Sequence, residues 1–347
     1  MNAVIAGVTG AVGSAIAREL ASCGDWTVTG LSRNPPKSPI AGVEYVSLDL
    51  ADPERCRRTL SVHEDATHLF YCGRATHREQ TLEDAATNLA LLDNVLSAAE
   101  RGPLRHVHLV QGGKVYGVHI GPFPTPARED DPRVVIENFN YDQEDLLRQR
   151  SVGSSWSWSA SRPNTLLHFS PDIARNLVSS LGAYAAICRE LGCALDFPGP
   201  EGAYRSLTQV TSIELLARAM AWMTTEPDCA NQAFNVTNGD GFRWNRLWPR
   251  IADAFDMPCG SVRPLRLAEV MEGKEAVWNR VCERYGLVPR PLSAVANWGY
   301  LDATLERTWD EILSTTKARR FGFHEWEDSE ARLLDLVGEY RAARILP

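Results

Sequence analysis

Gly7, Gly10 and Gly13 stand three residues apart in Gly7-Val8-Thr9-Gly10-Ala11-Val12-Gly13, between an apolar run at 3–6 and an Ala-rich stretch of helical spacing. That order suits a pyrophosphate. Gly7 lets the chain turn sharply, Gly10 clears the place where phosphates approach the backbone, and Gly13 lets the helix pack closely on the strand. The free N–H groups and positive end of the helix then face the diphosphate. The answering second strand ends in Ser32-Arg33, a hydroxyl and a fixed cation where an NAD-binding chain usually carries an acid. NADP (NADPH) is therefore expected over NAD; Arg33 also reads as a solvated charge beside the Asn34-Pro35-Pro36 turn.

Asp49-Leu50 closes the third strand, where a carboxylate can accept from an adenine amine, and Gly73-Arg74-Ala75 follows the fourth. Ligands in such sheets gather at the carboxyl ends of strands. Reduction also needs a donor at the oxygen where negative charge develops, and a tyrosine kept acidic by a lysine is a common solution. No Tyr-x-x-x-Lys pair is present, because Tyr116 is followed four positions on by Ile120 and Tyr141 by Asp145. What remains is Lys114 in Gln111-Gly112-Gly113-Lys114-Val115-Tyr116-Gly117, and Tyr141 in Asn138-Phe139-Asn140-Tyr141-Asp142-Gln143-Glu144-Asp145. Both are expected at the strand-end mouth of the sheet; a surface lysine and a half-buried helix tyrosine are the plainer alternatives.

The elements that would position these groups alternate. Strands are predicted at 2–6, 26–31, 43–48, 68–72, 106–110 and 156–161, with helices at 14–21, 53–60, 82–99 and 139–149. Alternation of this kind predicts an α/β doubly wound parallel sheet. Longer helical patterns follow at 172–190, 213–224, 243–255 and 329–341. The expected division is a dinucleotide-binding domain over 1–165, its sheet partly completed by later segments, and a mainly helical substrate lobe over 166–347 with strands returning to the sheet. Trp244 and Trp248 share one helical face and read as core.

The chain has 347 residues, 44% hydrophobic and 23% charged, enough to bury a large core. A formal charge of −8 argues against a general nucleic-acid or anionic-membrane surface. A core strand at the start and the lack of a long apolar run lead us to expect a cytoplasmic protein. The eight cysteines are scattered without a CxxC and are expected to be reduced thiols. His106 and His108 share a strand face with no third ligand nearby, so they read as partly exposed strand residues, and no metal is expected. Asp142, Glu144 and Asp145 read as an acidic helix start that suits the macrodipole. No Gly-x-Ser-x-Gly elbow supports hydrolysis.

Ordered blocks along nearly the whole chain resemble the progesterone 5β-reductase and iridoid synthase family, an atypical branch of the short-chain dehydrogenases. They include the glycine turn, Leu31-Ser32-Arg33, Asp49-Leu50, Thr67-His68-Leu69-Phe70-Tyr71, Lys114 with Tyr116, Gly121-Pro122-Phe123, the Asn138–Asp145 segment, Ser161-Arg162-Pro163, Phe169-Ser170-Pro171, Phe234 to Asp240 and Lys317 to Phe323. The resemblance implies that Lys114 and Tyr141 form the catalytic pair, with Tyr141 stabilising the substrate oxygen and Lys114 lowering its pKa and orienting the nicotinamide ribose. It further implies that Phe123, with Trp298 or Tyr300, encloses an apolar substrate. The stretch Arg162-Pro163-Asn164-Thr165 would contribute backbone to the nicotinamide pocket, and Ser170 would touch the same end. The chain departs from the family pattern at Asn34, Gln111 and Asn140, where that pattern has an arginine, a threonine and a tyrosine, and three additional residues separate Tyr116 from Gly121. Steroid specificity is not implied.

The expected function is an NADPH-dependent reductase of an activated alkene (enone or enal) or of a carbonyl, acting on a small to medium hydrophobic enone, aldehyde or ketone. No nucleic-acid or membrane partner is expected, and a homodimer is left open. The alternatives are a sugar-nucleotide epimerase or dehydratase on the same scaffold, and a non-catalytic NADPH-binding sensor.

Overall fold

This computed structural model describes every residue except 37, 64 and 76–83. Seven strands form one sheet: β1 (Asn2–Ala6), β2 (Thr27–Ser32), β3 (Val43–Ser47), β4 (His68–Tyr71), β5 (His106–Val110), β6 (Ser157–Pro163) and β7 (Gln232–Val236). Their order is β7-β6-β5-β4-β1-β2-β3, and every neighbouring pair is parallel. The doubly wound α/β sheet read from the sequence is the observed one.

Period-two alternation along β1 sorts its side chains onto two cores. Ala3 and Ile5 join Val28, Phe70 and Leu216 on one face, while Val4 and Ala6 join Leu69, Leu96 and Leu109 on the other. The first face is covered by α1 (Ala11–Cys23) and, later in the chain, a helix at Ile213–Thr225. The second is covered by α2 (Pro53–Leu60), α3 (Ala85–Ala99) and α4 (Phe139–Ser151). Side-chain caps set where these start. Asp52, Asp84 and Asn138 accept from the N–H groups of Arg55, Thr87 and Asn140 respectively. The predicted helix at 82–99 thus begins at Ala85; its first two positions lie outside the described residues.

β7 was not among the predicted strands, because it is five residues long and carries a polar Asn235 where an inward apolar residue would advertise it. Asn235 is fully buried and pairs with Arg162 across β6. The lobe begins with α5 (Leu177–Glu190), shorter than the predicted 172–190 because Asn176 caps it, accepting from the N–H groups of Val178 and Ser179. Twelve of the fourteen residues of α5 are buried, so it is the spine of the lobe core, with Trp244 and Trp248 packed near it. Among the described residues no helix is long and apolar enough to cross a membrane.

His106 and His108 are not partly exposed as expected but buried. Their rings form a ladder with Ser157, Ser159 and Ser161 of β6, at 2.7–3.0 Å. Burial, then the neighbouring His68, lowers His106 to about 3, and burial with His106 holds His108 well below the usual histidine range. Serine hydroxyls satisfy neutral imidazoles at a depth where charged ones would be costly.

Candidate active site

At the carboxyl end of the sheet a cleft of about 440 Å³ is lined by Gly7, Thr9, Gly10, Ser32, Arg33, Asp49, Leu50, Gly73 and Arg74 among others. Gly7 has φ +82°, a left-handed turn that favours glycine, and a Cβ on Gly13 would lie 2.2 Å from the Gly7 carbonyl oxygen. The first helical bond of α1 runs from Ser14 N–H to Gly10 C=O at 2.9 Å, so the N–H groups of Ala11, Val12 and Gly13 precede the ladder and are left for a ligand. With no side chain on Gly10 in front of them, these residues fit a dinucleotide pyrophosphate. At the far end the Ser32 hydroxyl donates to Asn34 C=O at 2.6 Å, and exposed Arg33 is the cation of that corner among the described residues.

Beyond β5 the chain passes Gln111 and Gly112 into a 3-10 turn, Gly113–Tyr116, closed by Gly117 at φ 80°. The start of α4 grips this turn by two side chains. Asn138 Nδ2 donates to Lys114 C=O at 3.0 Å, and the Tyr141 hydroxyl donates to Val115 C=O at 2.6 Å while accepting from Val134 N–H at 3.1 Å. Arg133 lies over the Tyr141 ring at 4.7 Å and is held by Asp145.

Below the turn lies a buried ion-pair network. Arg162 donates to Gln111 Oε1 (2.9 Å), Tyr116 Oη (3.0 Å), Glu129 C=O (3.0 Å) and Glu144 Oε2 (2.9 Å). Gln111 Nε2 returns bonds to Glu144 and to Asn140 C=O, and the Tyr116 hydroxyl donates to Asn235 at 2.6 Å. Burial works against the Glu144 carboxylate, but Arg162 and Arg148 outweigh it and hold its pKa low. The acidic helix start expected from the sequence holds for Asp142 in the first turn of α4 and is corrected for the other two: Glu144 is an internal counter-ion for β6, and Asp145 holds Arg133.

Lys114 is half-buried. Burial, and then the charges of Arg74, Arg175 and Arg307, lower its ammonium pKa to about 8. Among the described residues no three His, Cys, Asp or Glu side chains are grouped to hold a metal.

The model of the PRISE-like Rossmann-fold domain matches residues 52–347. An (S)-8-oxocitronellyl enol synthase from Nepeta racemosa is 34% identical over 369 residues, covering 99% of this chain and 93% of the relative. A 3-oxo-Delta(4,5)-steroid 5-beta-reductase from Arabidopsis thaliana is 35% identical over 365 residues, covering 99% and 93%. The chain belongs to the PRISE-like family. Among solved structures, a UDP-glucose 4-epimerase from Thermotoga maritima superposes with a TM-score of 0.70 at 16% identity, covering 99% of each chain, a likeness of fold alone.

In this family member the sequence-predicted residues fall into separate groups. Nine of the cofactor positions line the one cleft, and Ala11, Val12 and Gly13 form the first turn of α1 beside it. Thr165 lies in a short strand paired with Val210, and Ser170 is tied into the lobe, its hydroxyl on His168 and its N–H on Tyr340 Oη. Arg162 and Pro163 end β6 rather than following it, and the Arg162 side chain points into the buried network. Phe123 packs on the cluster of Val115, Tyr116 and Tyr141, while Trp298 and Tyr300 are half-buried on the lobe core. Tyr141 of α4 reaches the turn that carries Lys114, but its phenolic proton is committed to Val115 C=O and not to Lys114. Sequence reasoning missed Arg175 and Arg307, whose charges help to lower the Lys114 pKa, and His119, which burial and then Lys114 and Arg307 hold down to about 4. The sole signal for them was basic residues beside loops of the lobe.

Proposed function

We propose that this protein is an NADPH-dependent reductase that adds hydride to the β-carbon of an activated alkene or to a carbonyl carbon. What carries this reading is the full-length similarity to an oxocitronellyl enol synthase and a steroid 5-beta-reductase, joined to a lysine on the turn after β5 that feels the charge of Arg74, a residue lining the dinucleotide cleft. When bound, NADPH would supply the hydride; the glycine turn and the start of α1 would hold its pyrophosphate and Arg33 its 2′-phosphate. As hydride arrives, negative charge grows on the substrate oxygen, and the Lys114 ammonium is the group suited to receive it. Its lowered pKa also suits proton donation near neutrality. Phe123, Trp298 and Tyr300 offer apolar walls.

Tyr141 enters this mechanism as a positioning residue. With Asn138 it fixes two successive carbonyls of the turn, those of Lys114 and Val115, and so sets where the ammonium stands. A panel of enones, enals, aldehydes and ketones assayed for NADPH consumption tests the reading. Lys114→Ala is expected to lower kcat/KM by about 100-fold or more, the scale of losing one preorganised donor. Tyr141→Phe, which removes one hydrogen bond to the turn, is expected to cost about tenfold and to move the alkaline limb of the pH profile set by Lys114. A loss in Tyr141→Phe as deep as in Lys114→Ala, with the pH limb unmoved, would return the donor role to the phenol. No NADPH consumption with any of the panel would refute the reductase reading.

A further inference from the structure

The helix α5 ends on two backbone hydrogen bonds that bring a pair of cysteines together. Leu191 caps the helix, Gly192 turns left-handed at φ +70°, and Cys193 follows. Gly192 N–H donates to Arg189 C=O at 3.1 Å, and Cys193 N–H donates to Cys188 C=O at 2.9 Å. These are the two bonds of a Schellman cap, in which the side chains at either end of the longer bond commonly touch. Here both are cysteines: Cys188 is the last buried residue of α5, and Cys193 is exposed just past the turn.

A single N–H···O=C bond between two residues holds their Cα atoms within about 6.8 Å, the longest span that a disulfide bridges. The Cys193 thiol meets Leu191 C=O at 3.9 Å, a contact inside the same cap and weak enough to yield. Burial above all lifts the Cys188 thiol to about 11; Tyr184 pulls the other way, and the charge of Cys193 adds to the rise, as a close neighbour must. The buried sulfur is therefore the poorer nucleophile toward an incoming reagent, and the exposed one is the sulfur that reagent meets first.

We propose that Cys193 and Cys188 are an oxidation site that takes a hydroperoxide and closes to an intramolecular disulfide across the α5 cap. With hydrogen peroxide, the Cys193 sulfur attacks as its thiolate. An S–O bond forms, the O–O bond breaks, and one water leaves with the thiol proton, so that Cys193 is oxidised by two electrons to a sulfenic acid. The Cys188 sulfur then attacks that sulfur; the S–O bond breaks, and hydroxide leaves with the Cys188 proton as a second water. Two thiols have lost two hydrogens, and the peroxide has become two waters. Because the cap already holds both chain positions, the bond forms without unwinding α5, and it fastens the end of the helix that is the spine of the lobe core. The site is independent of the reductase reading.

The test treats the reduced full-length protein with hydrogen peroxide and maps it by mass spectrometry without reductant. Trypsin cuts after Arg175, Arg189 and Arg205, so the two cysteines fall on separate peptides, 176–189 and 190–205. The expected result is that these peptides appear joined, in protein that runs as a single chain on a non-reducing gel, and come apart when reductant is added. In Cys193→Ser the joined species is absent. In Cys188→Ala, checked for folding by circular dichroism, oxidation stops at a Cys193 sulfenic acid that dimedone captures. The melting temperature of the oxidised parent rises by about 2–4 °C over that of the reduced parent, and the rise is lost in Cys193→Ser. Peptides that stay separate, with or without dimedone on Cys193, would overturn the site, as would a link between two chains. A link that fails to raise the melting temperature would show that the cap geometry does not suit the bond, and would overturn the proposal equally.

Discussion

Replacing Glu144 by Leu leaves Arg162 charged in the interior without its carboxylate. The two side chains are 4% and 8% exposed and meet at 2.9 Å, so water cannot take over the lost role. Breaking a buried pair from one side costs about 3–5 kcal/mol. The opposite change, Arg162→Met, leaves Glu144 with Arg148, whose side chain is 54% exposed, and with the Gln111 amide, so a cost of about 1–3 kcal/mol is expected. The double variant holds no unpaired buried charge, and the Gln111 Oε1 acceptor is its main orphan. It should therefore lose only about 1–3 kcal/mol, making Arg162→Met a stabilising change when added to Glu144→Leu. Urea unfolding followed by tryptophan fluorescence and circular dichroism reads the three variants against the parent. If Glu144→Leu loses less than about 1 kcal/mol, or if adding Arg162→Met deepens the loss, the buried ion pair does not hold this region together electrostatically.

Gly13→Ala forces a Cβ to 2.2 Å from Gly7 C=O, so the turn must shift; loss of coenzyme binding in a titration, with about 1–3 kcal/mol of stability, is expected. Arg33→Glu should weaken NADPH by at least about tenfold and leave NADH nearly unaffected, measured as KM for each coenzyme. Stability should fall in acid through the buried imidazoles: their folded pKa values, about 4 for His68 and about 3 for His106, lie below the unfolded value. Their contribution is complete above pH about 6.5 and erodes as pH falls toward those values, by about 1 kcal/mol per histidine between pH 6.5 and 5.5. A urea midpoint flat across that interval would contradict the neutral ladder.

What the sequence made legible was local. The glycine spacing and the succession of strand and helix patterns act over a few residues, so the sheet and its cleft could be written down before the structure, whereas the Asp84 cap that starts α3 at Ala85 was not read. The rest depended on long-range meetings. Tyr116 finds Asn235 across 119 positions, and Arg162 finds Gln111 across 51. Glu144 read as a helix-start acid because its partner on β6 leaves no mark in its own neighbourhood. Arg175 and Arg307 are 132 positions apart, and no period or motif links two basic residues whose charges bear together on Lys114 only in the folded chain. Tyr141 could be placed at the mouth by resemblance, but the direction of its hydroxyl is set by Val115, 26 residues earlier.

Two of the positions where this chain departs from the family pattern, Gln111 and Asn140, turn out to touch. Gln111 Nε2 donates to Asn140 C=O at 2.9 Å, and Asn140 Nδ2 donates to Asn138 Oδ1 at 2.8 Å, the residue whose amide holds Lys114 C=O. Amides have thus taken the positions of a threonine and a tyrosine, and they run as one chain from the buried Arg162–Glu144 pair to the carbonyl behind Lys114. A glutamine is long enough to bridge β5, α4 and β6 at once, which a threonine is not. The consequence is a lysine whose backbone is held from below by an ion pair and from the side by Asn138 and Tyr141. Such a group can meet a developing oxyanion with little reorganisation, which is the condition under which a preorganised cation speeds a reaction.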